Sequence, residues 1–262
     1  MLSETASTVM DMMHRPDTDP KALAGVVSED PGLTVQTLHL CNSPFYSLPV
    51  EVTSIDHAVR LLGLPTVCGI VMAAYLHRLM SRFSGDGARI WLTGARRHVL
   101  HVADCAQHLA MHGNLHLPKS QAWTLGLLHD MGKLVLAQLD AETARAVEEW
   151  ANVSDSSLLD AEWQLLGTDH AEVGSLLAQR WELPEIIADT VRWHHLPERS
   201  EEPMAGLVFV ADTLARVAEG QWSWPAFLKE EPRLSLALQR LDMDRDAFMC
   251  LARTWLESAK GR

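Results

Sequence analysis

The string Leu127-Leu128-His129-Asp130-Met131-Gly132-Lys133 constrains this chain more than any other feature. It sets two adjacent ionisable residues in an apolar, helical segment, where an unpartnered polar group is costly to bury. Two arrangements make such burial tolerable. The imidazole and the carboxylate can hydrogen-bond to each other, or both can bind one metal ion that neutralises the charge and uses the lone pairs. A neutral imidazole with a carboxylate suits borderline divalent metals: Fe, Mn, Co or Zn.

Other polar residues stand in similarly apolar company. His98 is followed by Val102, Ala103, Ala106, Leu109 and Ala110, offsets that make one apolar stripe on a helix. His98 therefore opens a core-facing surface. His170 opens a further helical segment, and His194-His195 ends another. Asp212 lies inside the apolar run Leu207 to Leu214, where a carboxylate needs a partner such as a histidine or a metal.

Hydrophobic periodicity is helical throughout, with no convincing strand. Expected segments include Lys21 to Val27, Leu33 to Cys41, Ser54 to Leu62, Val67 to Met80, Ile90 to Met111 and Ser120 to Leu139. Ala141 to Ala151, Leu158 to Leu166, Asp169 to Arg180, Glu185 to His194 and Met204 to Ala218 follow, with a C-terminal pair near 232–241 and 244–258. Ser84-Gly85-Asp86-Gly87 reads as a loop. The expected organisation is an N-terminal helical lobe over 1–83, a helical core over 88–218 and C-terminal helices over 219–262.

Composition narrows the function. A net charge of −12 without a basic stripe argues against direct nucleic-acid binding. The four cysteines, Cys41, Cys68, Cys105 and Cys250, form no CxxC pair, which reads as free thiols in a reducing compartment. No signal peptide and no apolar run long enough for a membrane helix are apparent, so a cytoplasmic location is expected. A Ser-His-Asp triad, a P-loop and a dinucleotide glycine turn are all missing.

The order His98, His129-Asp130, Asp212 resembles the HD superfamily of metal-dependent phosphohydrolases. That resemblance implies one metal held by those four residues. The additional His170, His194 and His195 are similar to the further ligands of the HD-GYP branch, which cleaves cyclic dinucleotides. It would make Asp130 a bridge between two metals that activate a water, and place Lys133 near the scissile phosphate. The sequence departs from that branch where Leu196-Pro197-Glu198-Arg199 follows the histidine pair, with no Gly-Tyr-Pro.

A closer resemblance lies in LHLCNSPFYSLPVEVTSIDHAVRLLGL (38–64), LGLLHDMGKLVL (125–136) and LLGTDHAEVGSLLAQRWELPEIIADTVRWHH (165–195). These look like the HDOD family, the HD-related output domain of bacterial signalling. This resemblance implies an all-α, multi-helix HD-type bundle and a regulatory, non-catalytic module that binds a signalling protein or a nucleotide. Two alternatives stay open. One is a metal-dependent phosphohydrolase acting on a nucleotide or cyclic dinucleotide, with Asp130 and Lys133 as catalytic residues. The other is a non-hydrolytic nucleotide sensor.

Other residues carry structural expectations. His101, His108 and His112 read as solvated or capping, and His14, His39, His57, His77 and His116 as structural or exposed. Trp123, Trp163, Trp181 and Trp193 read as core packing. Trp222 and Trp224 read as a partner surface or a local fold-back. Asn42 is expected to hold a backbone turn, with Phe45 and Tyr46 pinning the two lobes.

Overall fold

The computed structural model describes residues 4–13, 19–42, 46, 48–82, 94–113, 119–153, 158–181, 183–224 and 231–259. Every regular element among them is helical. In chain order these are α1 (Glu4–Met13), α2 (Pro20–Ser28), α3 (Pro31–Cys41), α4 (Ile55–Leu62) and α5 (Leu64–Arg82). Then come α6 (Ala95–His112), α7 (Lys119–Leu128), the short α8 (Lys133–Leu136), α9 (Ala141–Val153) and α10 (Leu158–Leu166). After α11 (His170–Arg180), α12 (Glu185–Trp193) and a 3-10 turn (Pro197–Arg199) the chain closes with α13 (Pro203–Ala218), α14 (Glu231–Arg240) and α15 (Arg245–Ala259). No helix among the described residues is long and apolar enough to cross a membrane.

Local chemistry fixes the helix starts. Asp19, Asp30, Ser54 and Asp169 each accept a backbone N–H of the first turn, and prolines follow Asp19 and Asp30 at the first helical position. Gly167, at φ +70, turns the chain out of α10.

The centre of the bundle is α13, which is apolar all round and buries every residue from Met204 to Ala215. It packs against α6, α7, α12, α14 and α15. The His98 stripe falls as the periodicity predicts, with Val102, Ala103, Ala106, Leu109 and Ala110 all buried. One apolar cluster runs without interruption from Ala6 in α1 to Ala259 in α15. Helix α5 carries it from the N-terminal helices to α7. Asn42 clasps Val52 in both directions, donating to its carbonyl at 2.8 Å and accepting from its N–H at 2.7 Å. Tyr46 packs on Trp123 of α7, with ring centroids 5.2 Å apart. Phe45, His14, His116 and the 84–87 loop lie outside the described residues, as does the side chain of His77.

Three sequence expectations are corrected. The segment Ser120 to Leu139 is not one helix: α7 stops at Leu128, residues 129–132 form a turn, and α8 follows. The turn is tightened by Met131 N–H donating to Leu128 O and Lys133 N–H to Asp130 O. A straight helix would carry Asp130 past the histidines that meet it. Trp163 is 45% exposed rather than core, because its indole N–H is drawn to Asp169 at 2.6 Å. His101 is neither solvated nor a cap; its Nδ1 lies 2.8 Å from Glu219 Oε1. Trp224 folds back on the main core.

Helices α6 and α7 pack tightly at Gly126, where a Cβ would sit 2.5 Å from the Ala103 Cα. The atoms such a Cβ would meet, Ala103 Cα and N, belong to backbone, so they do not yield easily. Gly126→Ala is therefore expected to lower stability by about 1–3 kcal/mol through overpacking. Urea unfolding of the variant beside the wild type measures this; an unchanged midpoint contradicts the tight α6–α7 contact.

A candidate metal centre

The centre is assembled from helix ends. His129 is the first residue beyond α7, and its Nδ1 lies 2.8 Å from the carbonyl of Gly126. His194 follows α12 in the same way, with Nδ1 2.8 Å from the carbonyl of Val191. Carbonyls in a last helical turn lack partners along the helix, so an imidazole three residues on can donate to them. A carbonyl only accepts, so Nδ1 carries the proton and the lone pair of each neutral ring is on Nε2. His170 reaches the same state by another route. It opens α11, and its Nδ1 lies 2.7 and 2.9 Å from the two oxygens of Glu162.

These rings converge on Asp130. His170 Nε2 lies 3.3 Å and His194 Nε2 3.9 Å from Asp130 Oδ1, and His129 Nε2 lies 3.4 Å from Oδ2. His195 joins through its Nε2, 3.0 Å from that of His170. Gly132 permits the approach of the turn to α11: a Cβ there would meet the His170 carbonyl oxygen at 1.8 Å.

A second carboxylate lies alongside. Asp212 of α13 places Oδ1 2.8 Å from His98 Nε2, off the line of a hydrogen bond, and Oδ2 3.7 Å from His195 Nδ1. The other face of His98 meets Glu219, with Nδ1 3.1 Å from Oε2. The chain supplies its own cations. Lys133 Nζ donates to Asp130 Oδ2 at 2.6 Å, and Arg216 Nε lies 3.0 and 3.2 Å from the two oxygens of Asp212.

The charge states follow from these neighbours. Burial pushes the Asp130 carboxyl up, but the Lys133 ammonium against it holds it well below the usual range. Asp212 is likewise penalised by burial and held down by Arg216 and His98. For His194 and His195 burial and the neighbouring imidazoles act together, keeping both neutral well below the ordinary histidine range. His98 is the exception. Burial lowers it, yet Asp212 and Glu219 outweigh burial and raise it to about 9. Glu219, penalised by burial, is pulled to about 2 by His101 and His98.

The donor set fits a metal ion. His129 Nε2, His194 Nε2 and Asp130 Oδ1 are buried with no hydrogen-bond partner, a costly state that a cation between them would relieve. Donor atoms of Asp130, His170, His194 and His195 lie within 4.8 Å of one another, as do those of His98, His129 and Asp130. Asp130 belongs to both groups. Of the seven residues singled out in the sequence, six fall in these groups. Asp212 stands next to them, its oxygens engaged by Arg216.

Three participants escape sequence reasoning. Arg216 is four residues after Asp212 on one helix, a spacing that could have flagged it. Glu162 and Glu219 give no such signal, because their partners are fixed by how helices meet.

The metal-free protein has a defined pH response. His98 has a raised value, so its contribution is complete below its ordinary 6.5 and is lost as pH rises through about 9. His194 and His195 are depressed, so their contribution is lost as pH falls below 6.5. Urea midpoints of chelator-treated protein are expected to decline on both sides. His98→Gln should flatten the alkaline limb and leave the acid limb; an alkaline limb of undiminished slope contradicts the assignment.

Comparison with known proteins places these features in context. The family model of the HDOD domain matches residues 1–197. The crystal structure of an HDOD domain protein of unknown function from Geobacter sulfurreducens superposes with a TM-score of 0.80. At 24% identity, it covers all of this chain and 91% of that one, a likeness of fold. An uncharacterized protein of Treponema pallidum is 25% identical over 241 residues, 89% of this chain and 44% of its own length. Ribonuclease Y of Mycoplasmoides gallisepticum is 27% identical over 143 residues, 53% of this chain and 21% of that protein. The chain thus spans less than half the length of either curated relative.

Proposed function

The chain belongs to the HDOD domain family, and on that premise we propose that it is a regulatory module of bacterial signalling whose histidine–aspartate centre holds a divalent metal without turning over a phosphoester. Asp130, His170, His194 and His195 would form one set of ligands, with His129 and His98 sharing Asp130 on its other side. Such an ion would supply charge neutralisation for the buried carboxylate and a Lewis acid. His129, His170 and His194 contribute ring orientation, fixed by the acceptors behind each Nδ1.

One observation carries the regulatory reading. The cations that a phosphohydrolase would turn toward a phosphate are committed inward, Lys133 to Asp130 and Arg216 to Asp212. The heart of the centre is also buried, with the Asp130 side chain 3% exposed and those of His129 and His194 at 0%, while His195 keeps 16%. A buried ion in such a setting stabilises a shape rather than receives a substrate. The module then acts by binding a signalling protein, with the fold as scaffold.

A second reading, a metal-dependent phosphohydrolase acting on a nucleotide or cyclic dinucleotide, draws support from the bare Nε2 atoms of His129 and His194. It also draws on the similarity to a ribonuclease Y. A third reading, a nucleotide sensor without turnover, would use the same centre.

Elemental analysis of protein purified without a histidine tag is expected to find bound Mn, Fe, Co or Zn, which Asp130→Ala abolishes. Metal-free protein that stays folded and ignores all four ions would remove the metal centre. Hydrolysis of bis(p-nitrophenyl) phosphate by the loaded wild type, lost in a folded Asp130→Ala variant, would replace the regulatory reading with the enzymatic one. Thermal stabilisation by one member of a nucleotide panel, without hydrolysis, would favour the sensor.

A further inference from the structure

Glu162 stands behind His170, with its oxygens on the backbone N–H and Nδ1 of that residue and not on Asp130. It is fully buried in α10, with no exposed surface. Its Oε2 accepts the backbone N–H of His170 at 2.8 Å, and both oxygens lie within 2.9 Å of His170 Nδ1. Two donors of one residue therefore converge on one carboxylate. The first is a backbone N–H in the opening turn of α11, which has no acceptor within its own helix. The second fixes the ring: with Nδ1 as donor, the lone pair of the neutral imidazole is on Nε2, which faces Asp130 Oδ1 at 3.3 Å.

We propose that Glu162 is the positioning residue of the centre: it locks His170 in the Nδ1–H tautomer and so presents Nε2 as a metal donor. This inference rests on the metal-binding reading above, and it explains why a carboxylate is kept in a fully buried position of α10. A backbone carbonyl does the same service for His129 and His194 because both follow a helix C-terminus. His170 stands at a helix N-terminus, where the backbone offers donors only. Its ring needs an acceptor from another element, and Glu162 provides it.

The nearly isosteric Glu162→Gln separates positioning from mere packing. A glutamine has one acceptor oxygen for two donors. If that oxygen keeps the backbone N–H of His170, the amide N–H₂ faces Nδ1 and turns it into an acceptor. The ring proton then moves to Nε2 and blocks the metal side. Two measurements read this. Nitrogen-15 NMR of metal-free protein reports the His170 tautomer, and calorimetric titration with Zn²⁺ reports affinity.

In the wild type we expect Nδ1–H. In Glu162→Gln we expect Nε2–H and Zn²⁺ binding weaker by about 10–100-fold, the usual consequence of losing such an outer partner. Glu162→Asp keeps the carboxylate charge and should restore the Nδ1–H tautomer in part. Glu162→Gln with the wild-type tautomer, or with Zn²⁺ affinity within about twofold of a binding wild type, overturns the proposal. Should the wild type bind no Zn²⁺, the metal-centre reading fails on its own, and the tautomer comparison in the metal-free proteins still decides whether Glu162 sets the ring.

Discussion

The burial of Asp130 is the constraint from which the rest of the centre follows. A carboxylate removed from water costs several kcal/mol unless charge and hydrogen bonds are returned to it. Lys133 returns a charge and a hydrogen bond across the tight turn, while the rings of His129, His170 and His194 close around the carboxylate and bring metal-donor nitrogens to it. Each delivery imposes a condition on the backbone. Helix α7 has to stop at Leu128, and residue 132 has to be glycine so that the turn can rest against the start of α11. The α7–α8 break is thus part of the site and not a defect in a helix.

Asp212 extends the same logic outward. It sits on the most buried helix of the bundle, where a lone carboxylate would be untenable, and Arg216 one turn later accompanies it. His98 then bridges Asp212 to Glu219, and Glu219 passes the chain of contacts to His101. Arg216, Asp212, His98 and Glu219 thus alternate in sign between α13 and α6. His101 in turn meets the ring of Trp255 in α15, whose indole N–H donates to Asp104 at 2.7 Å. The C-terminal helix, which lies beyond the residues matched by the family model, is in this way tied to the polar centre.

A centre so balanced is suited to holding a shape. Its own cations neutralise its carboxylates, and its bare imidazole nitrogens are few and internal. That arrangement is the basis of the regulatory reading proposed above, in which an ion would consolidate packing between helices. Orientation of the His129, His170 and His194 rings comes from the acceptors behind each Nδ1.

Much of this was legible in the chain itself. Helical periodicity fixed the class of fold, the His98 stripe fixed which face of α6 turns inward, and His129-Asp130 and Asp212 announced themselves as polar groups in apolar runs. Those features depend on neighbours within one or two helical turns, which is the range over which sequence spacing translates directly into position. What only the tertiary structure decided is the convergence: that His170 and His194 meet Asp130, that Asp212 is claimed by Arg216, and that Glu162 and Glu219 stand behind His170 and His98. Glu162 in its helix and Glu219 just past another look like ordinary solvated residues, and Trp163 looks like core. Their environments are set by helices packing from distant parts of the chain, and pairing across that distance leaves no periodic mark in the sequence.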